Sequence, residues 1–116
     1  MGASLIDGSI LMLLVERPDH GYALLERLQV FGIEMNGEPG ALYRRLHSLE
    51  RKGLVEHSSI ASIKGPPKKV YAATALGVVA LRDWVSSVTD AHCAVERWLD
   101  AHEALLEQRP KLSVMS

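Results

Sequence analysis

The chain has 116 residues, of which 47% are hydrophobic and 23% charged, and its net charge is -1. A chain of this length can bury one apolar core without help from a metal or a disulfide, and its composition is too apolar for a disordered protein. The near-neutral total gives no whole-molecule basic field of the kind that attracts nucleic acid. One soluble domain is therefore expected, and the total charge does not indicate a partner.

The location of the protein is predicted from its cysteine and its apolar runs. Cys93 is the only cysteine, so no intramolecular disulfide can form, which fits a reducing compartment. The longest unbroken apolar run, Ile10 to Val15, is far shorter than the roughly 18 residues of a membrane span, and no leader pattern surrounds it. These features predict a cytoplasmic protein with no membrane segment.

Two short helices are predicted first. The run from Ser9 to Arg17 has Asp7 or Ser9 as candidate N-cap and is followed by Pro18, which stops a helix. The second helix is expected over about 21–30, with Asp19 as its candidate cap and Gly32 as its closing glycine. Its core face is a leucine stripe, Leu24, Leu25 and Leu28.

A third helix is the best delimited of all. It follows a glycine-rich connector, starts with Pro39 at its first position, and has Glu38 or Asn36 at its positive end. Its apolar stripe has the spacing i, i+4, i+7, and Gly53 ends it. The stripe consists of Leu42, Leu46 and Leu49.

The next segment predicts a strand, a basic turn and a second strand. The Pro66-Pro67 pair belongs to the tip of this hairpin or to its outgoing shoulder, because proline is not accommodated inside a central strand. Thr74 is then the expected N-cap of a long helix over about 75–107. The predicted order is helix, helix, helix, hairpin, long helix.

The charged residues are distributed unevenly along the chain. Residues 1–37 sum to -3, residues 38–73 to +4, and residues 74–109 to -3. The basic residues thus concentrate on the third helix and the hairpin. A basic helix fits the major groove of DNA and a basic hairpin can reach neighbouring phosphates, which predicts a winged helix-turn-helix. The alternative for each single Arg or Lys is a simply solvated helix face.

At these positions the sequence resembles the PadR-type transcriptional regulators. The resemblance covers about residues 5–88. It lies in His20-Gly21-Tyr22, Gly40-Ala41-Leu42-Tyr43-Arg44-Arg45-Leu46, Leu49-Glu50, Gly53-Leu54-Val55, Lys69-Val70-Tyr71 and Thr74-Ala75-Leu76-Gly77. It implies a dimeric winged-helix repressor that binds an operator and is released by a small molecule. The short C-terminal region suggests the small subfamily with a single dimerisation helix.

The residues expected to bind DNA combine this resemblance with the charge pattern. In the family, tyrosines at the positions of Tyr22 and Tyr43 lie near the DNA backbone, where a phenol can donate to a phosphate. The alternative for Tyr22 is a half-buried packing residue. Arg44 stands where many relatives have proline, so the base contacts do not follow from the resemblance. The predicted set is Tyr22, Gly40, Ala41, Tyr43, Arg44, Arg45, His47, Lys64, Lys68 and Lys69.

The final helix carries an apolar pattern with steps of three and four over more than three heptads. One helix cannot hide such a stripe by itself, so a symmetric homodimer is expected, with recognition helices about 34 Å apart for half-sites one turn apart. The predicted dimer interface consists of Leu81, Trp84, Val88, Ala91, Val95, Trp98, Leu99, His102 and Leu105.

The same helix carries two further candidate sites. Trp84, Val88 and Trp98 are a candidate pocket for a small aromatic effector, with ordinary interface packing as the favoured alternative. His92 and Glu96 share a helix face, and Cys93 and His102 lie nearby in sequence, but two ligands and a divergent thiol do not complete a tetrahedral metal site. No metal and no cofactor are therefore predicted. A seam histidine, His102, would make the dimer sensitive to pH.

The sequence thus predicts a mainly α (α+β) protein that binds an operator in double-stranded DNA. The expected parts are a winged helix-turn-helix at 1–74, a dimerisation helix at 75–109 and a disordered tail at 110–116. No nucleophile with its base, carboxylate pair or phosphate-binding loop indicates an enzyme. The alternatives are a winged helix that binds protein rather than DNA, or a drug- or metal-sensing variant of the regulator.

Overall fold

The computed structural model describes residues 5–33, 35 and 39–108. Over these residues the chain forms helices α1 (Leu5–Glu16), α2 (Gly21–Leu28), α3 (Pro39–Arg51) and α4 (Ala75–Gln108), with strands β1 (Val55–Ile60) and β2 (Lys68–Ala73) between α3 and α4. This order confirms the mainly helical fold class. Asn36 and Glu38, the alternatives predicted for the positive end of α3, and the tail predicted at 110–116 lie outside the described residues.

The chain divides into two compact units, the first ending at Trp84 and the second beginning at Val85. One apolar core holds the first unit together, and helices α1 to α3 and both strands contribute to it. Its residues are Ile10, Leu11, Leu13, Leu14, Leu24, Leu28, Leu42, Leu46, Leu49, Val55 and Tyr71. The predicted stripes of α2 and α3 are confirmed, with Leu25 partly buried beside them.

Helix α1 begins one turn before the predicted start. Ser9, one of its two candidate N-caps, lies inside the helix, where its hydroxyl donates to the Leu5 carbonyl at 2.8 Å. Ser9 is buried, so this bond within the helix satisfies a hydroxyl that would otherwise be costly to desolvate. The acidic residue of the first turn is Asp7, which suits the positive end of a helix.

Helix α2 is shorter than predicted, and it passes at Leu28 into a 3-10 turn, Gln29–Phe31, that Gly32 closes. Its N-cap is His20, without a side-chain cap bond, so the prediction of Asp19 as cap was wrong. The Asp19 carboxylate instead accepts from the backbone N–H of His20 at 3.0 Å and from the Arg27 guanidinium at 3.1 Å. It therefore ties the start of α2 to its last turn.

The hairpin is antiparallel, with Val55 paired to Ala73, His57 to Tyr71 and Ile60 to Lys68. Asp19 forms an isolated antiparallel bridge with Tyr71 of β2, in which the two backbones exchange hydrogen bonds of 2.8 and 3.0 Å. The proline pair lies in the connection 61–67, as predicted. We call residues 55–73 the wing. The Asp19–Tyr71 bridge fixes the base of the wing to the segment between α1 and α2.

The junctions around the wing follow the sequence signals. Gly53 ends α3 with φ 78°, a left-handed backbone that favours glycine. Thr74 caps α4: its hydroxyl accepts from the Gly77 N–H at 3.0 Å and donates to the Gly53 carbonyl at 2.6 Å. The predicted cap is confirmed, and the same hydroxyl connects the end of α3 to the start of α4.

The second unit is the continuation of α4. From Val85 to Gln108 every residue except Ala91 is exposed. This stretch therefore has no core of its own within the described chain. In the described residues no helix combines the length and apolar character needed to cross a membrane.

Candidate nucleic-acid interface

The outer side of α3 carries one exposed stripe opposite the buried leucines. Gly40, Arg44, His47 and Arg51 recur at steps of four, three and four, and all four are exposed. The buried stripe of the same helix is completely covered by the core. We call these four residues the α3 outer stripe; it presents two arginines and a histidine on a helix with a clear outward face.

Adjacent arginines in α3 have different surroundings. Arg44 is exposed, whereas the Arg45 side chain is 36% exposed and its Nη1 lies 3.0 Å from Oδ1 of Asp7. Successive residues of a helix point about 100° apart, which turns Arg45 from the outer side toward α1. Both arginines belong to the predicted DNA-binding set, but Arg44 is presented outward whereas Arg45 is engaged within the protein.

Tyr43 is half-buried and packs where α2 and α3 meet. A Cβ atom at position 21 would collide with the Tyr43 hydroxyl and ring, so glycine at this position lets the ring approach the α2 backbone. Tyr22, the next residue, is 67% exposed. The packing alternative for Tyr22 thus finds little support in its exposure. Ala41, also in the predicted set, is half-buried.

The wing supplies the remaining predicted contacts. Lys64 lies in the connection, and Lys68 and Lys69 begin β2; all three are exposed. The tip is shaped by a hydrogen bond of 2.9 Å from the Ser62 hydroxyl to the Lys64 carbonyl. Ile63 at this tip is fully exposed. The wing therefore combines three lysines with one apolar side chain at its end.

A polar link joins α3 to the wing. His57 Nδ1 lies 2.8 and 2.9 Å from the two carboxylate oxygens of Glu50, and its ring is 5.7 Å from that of Tyr71, centroid to centroid. Burial, together with Tyr43 and Glu50, raises the pKa of the Tyr71 phenol above its ordinary value of 10.0. Tyr71 is therefore neutral at physiological pH. The contact between Glu50 and His57 holds the wing against the last turns of α3.

The residues predicted for the dimer interface fall into two groups. Leu81 and Trp84 are partly buried and pack against the core of the first unit. In the second unit Ala91 is half-buried and the others are exposed. Exposure reaches 54% at Val95 and 68% at Trp98, whose ring stacks on His102 with centroids 6.2 Å apart. The exposed members are Val88, Val95, Trp98, Leu99, His102 and Leu105.

The helix-face pair considered as a metal site forms a close polar contact. His92 Nε2 lies 2.7 Å from Oε1 of Glu96, with both side chains well exposed. Within the described part of the chain, no group of three or more His, Cys, Asp or Glu side chains is arranged to hold a metal ion. The exposed Cys93 thiol is free.

Residues 10–83 match the family described as the transcriptional regulator PadR-like family. The chain belongs to the PadR-like family. The matched range contains α2, α3, the wing and the start of α4, so it includes the α3 outer stripe and the wing lysines. No protein of curated function matches the chain in sequence.

Solved structures agree with this membership. A protein from Thermoplasma acidophilum is 31% identical with a TM-score of 0.71, over 83% of this chain and 91% of its own. A PadR-like transcriptional regulator from Bacillus cereus is 26% identical with a TM-score of 0.71, over 82% and 91%. Bacillus subtilis PadR, solved in complex with operator DNA, shares the fold at 23% identity with a TM-score of 0.63, over 71% of this chain and 47% of its own.

Sequence reasoning missed the polar links that hold α3 in place. Asp7 with Arg45 and Glu50 with His57 join different elements, and Asp7 and Arg45 are 38 residues apart in sequence. No local periodicity encodes such pairs. The one available signal was a lone acidic residue in the first turn of α1, which sequence reasoning treated as a cap.

Proposed function

We propose that this chain is a dimeric transcriptional repressor that binds a palindromic operator in double-stranded DNA and is released by a small molecule. The observation that carries the DNA-binding part is the exposure of both the α3 outer stripe and the wing lysines. Residues 38–73, which contain both, sum to +4, while the segments on either side sum to -3 each. Phosphates would be attracted to this part of the chain and repelled by the rest.

The α3 outer stripe and the wing suit different parts of a duplex. An α-helix fits the major groove, where an arginine such as Arg44 or Arg51 can pair with the O6 and N7 acceptors of guanine. The three wing lysines are point charges suited to phosphates. Tyr22, exposed at the start of α2, adds a phenol donor for the backbone. We therefore assign base recognition to α3 and positioning to the wing and α2.

The dimer rests on a different observation, the uncovered apolar side chains of α4. Val95, Trp98, Leu99, Leu105 and Leu106 are each at least 44% exposed. A contiguous apolar surface of this kind is characteristic of an interface. A second copy of the same helix offers a matching surface, and a two-fold axis would pair two recognition helices with a palindrome. Trp98 is assigned to this interface.

The same proposal covers location and chemistry. Because its partner is DNA, we place the protein in the cytoplasm. Regulators of this family act by binding, and we propose no catalytic step and no cofactor for this chain. Release by an effector would act through the dimer, where Trp98 reports on binding. Tryptophan fluorescence titrated with planar aromatic compounds tests this part: quenching supports it, and constant emission with every compound contradicts it.

A mobility-shift experiment tests the DNA-binding function. The probe is the promoter fragment upstream of the chain's own gene, at two salt concentrations. Binding that weakens steeply with salt is expected, because each neutralised phosphate releases counterions. Replacing Lys68 and Lys69 by glutamine should weaken the shift, while Glu103→Gln, on α4 outside the matched family range, serves as the control. The absence of a mobility shift, or a shift that does not change with salt concentration, would instead favour a winged helix that binds protein.

A further inference from the structure

Arg45 has a partner inside the protein, although its position in α3 and its charge suggest a DNA contact. Its Nη1 donates to Oδ1 of Asp7 at 3.0 Å, with the Asp7 side chain 20% exposed. Arg44, one residue earlier, is exposed on the outer stripe. We propose that Arg45 is a positioning residue: paired with Asp7 of α1, it fixes the orientation of α3 so that Arg44 and the outer stripe meet DNA.

Geometry supports a positioning role more than a direct contact. The pair joins α1 to α3 across 38 residues of sequence, and both side chains are partly buried. For Arg45 to bind a phosphate it would have to leave Asp7, and an unpaired carboxylate would then remain close to a polyanion. Removing one partner of a partly buried pair is costly, because the remaining charge loses its compensation. DNA would therefore gain little from recruiting Arg45.

The other contacts of α3 indicate why such a pair matters. The buried leucines hold the helix by apolar packing, which has no direction and tolerates small rotations. Directional links fix the rotation instead: Asp7–Arg45 near the middle of α3, and Glu50–His57 near its end. Base recognition is sensitive to such rotations, because bidentate contacts require donors in the correct orientation.

The two roles make opposite predictions for Asp7→Asn. If Arg45 contacts DNA and Asp7 competes for it, removing the carboxylate frees the arginine and strengthens binding. If Asp7 and Arg45 position α3, the same substitution weakens binding although it removes a negative charge. We expect weakening by roughly twofold or more, given the usual size of coupling between neighbouring residues. Unchanged or tighter binding would overturn the proposal.

Exchange of the two side chains is the sharper test. The double variant Asp7→Arg, Arg45→Asp keeps composition and net charge while reversing the pair. A positioning pair predicts that promoter DNA binds with an affinity and a salt dependence close to those of the unchanged chain. A phosphate contact predicts that an aspartate at position 45 abolishes binding. Fluorescence anisotropy far below the unfolding temperature measures both, so a loss of stability alone leaves the readout unchanged.

Arg44→Gln is the matched control, and it separates this inference from the proposed function on which it rests. It should weaken promoter binding by about 5- to 150-fold, the usual effect of losing one bidentate base contact. If Arg44→Gln has no effect, the assignment of α3 to DNA fails. If Arg44→Gln weakens binding and a folded reversed pair does not bind, only the role of Arg45 is overturned. Should the reversed pair not fold, Asp7→Asn decides.

Discussion

Leu46 in α3 and Leu99 in α4 are the same residue type in well-formed helices, yet Leu46 is 0% exposed and Leu99 is 52% exposed. The first unit covers its core leucines with residues of its own chain. From Val85 to Gln108 the apolar residues have no such cover. In the function proposed here the two regions have separate tasks: α1 to α3 and the wing form the DNA-binding surface, and the end of α4 forms the dimer interface.

A matched pair of truncations tests this contrast and has the largest expected effect. Leu46→Ala should cost about 2–5 kcal/mol of unfolding free energy at any protein concentration, because it leaves a cavity in a packed core. Leu99→Ala should lower stability only through the dimer, so its effect should depend on concentration. Denaturant unfolding at two concentrations measures both. Equal, concentration-independent losses would show that Leu99 is buried within one protomer.

Placing a charge on the exposed apolar face of α4 tests the partner directly. Val95→Asp should convert the dimer to a monomer, because an unpaired carboxylate would be buried at the interface. Ser86→Asp is the control, since nine residues of helix place it on the opposite side from Val95. Sedimentation velocity distinguishes the two species, and circular dichroism verifies that helix content is kept. A Val95→Asp variant that sediments as the unchanged chain contradicts the interface.

Close packing between α2 and α3 provides a smaller effect within the first unit. Gly21→Ala places a methyl group against the Tyr43 ring and hydroxyl, and the ring must move. We expect a loss of about 1–3 kcal/mol, the usual cost of overpacking. Gly40→Ala is the control, because the nearest atom to a Cβ there is Arg44 Nη1 at 3.6 Å. Thermal unfolding of both variants measures the difference, and equal stability would contradict the packing.

The smallest effect concerns alkaline stability. The pKa of Tyr71 is raised in the folded protein above its ordinary value of 10.0, so below pH 10 both states are neutral and this contribution is fully present. Above pH 10 the unfolded state ionises first, and stability falls by up to about 1.4 kcal/mol per pH unit until the folded pKa is passed. Tyr71→Phe should flatten this decline in denaturant unfolding. An unchanged slope would refute the assignment.

Much of this architecture was predictable because it is encoded locally. The stripe Leu42, Leu46 and Leu49, the glycine at position 53 and the cap at Thr74 are each a short-range signal, and each was confirmed. The start of α1 was placed too late, because Ser9 has the chemistry of a cap but bonds within the helix.

The sequence predicted which segment of the chain carries the positive charge of the candidate interface. It did not predict how the side chains of that segment are oriented. Sequence placed Arg44 and Arg45 together, and only the fold shows that one faces outward while the other contacts Asp7. Two further contacts depend on how segments distant in sequence meet in the fold. They are the contact between Glu50 and His57 and the backbone bridge between Asp19 and Tyr71. Such contacts follow from tertiary packing, which no residue spacing reports.

Hydroxyl-radical footprinting on the promoter upstream of the chain's own gene tests the central claim most directly, since it reports DNA binding and two-fold symmetry together. We expect two symmetric protected stretches with centres about one helical turn apart, roughly 34 Å, or a multiple of that distance. No protection, or a single protected stretch without a symmetric partner, would contradict the account of two winged helices joined through α4.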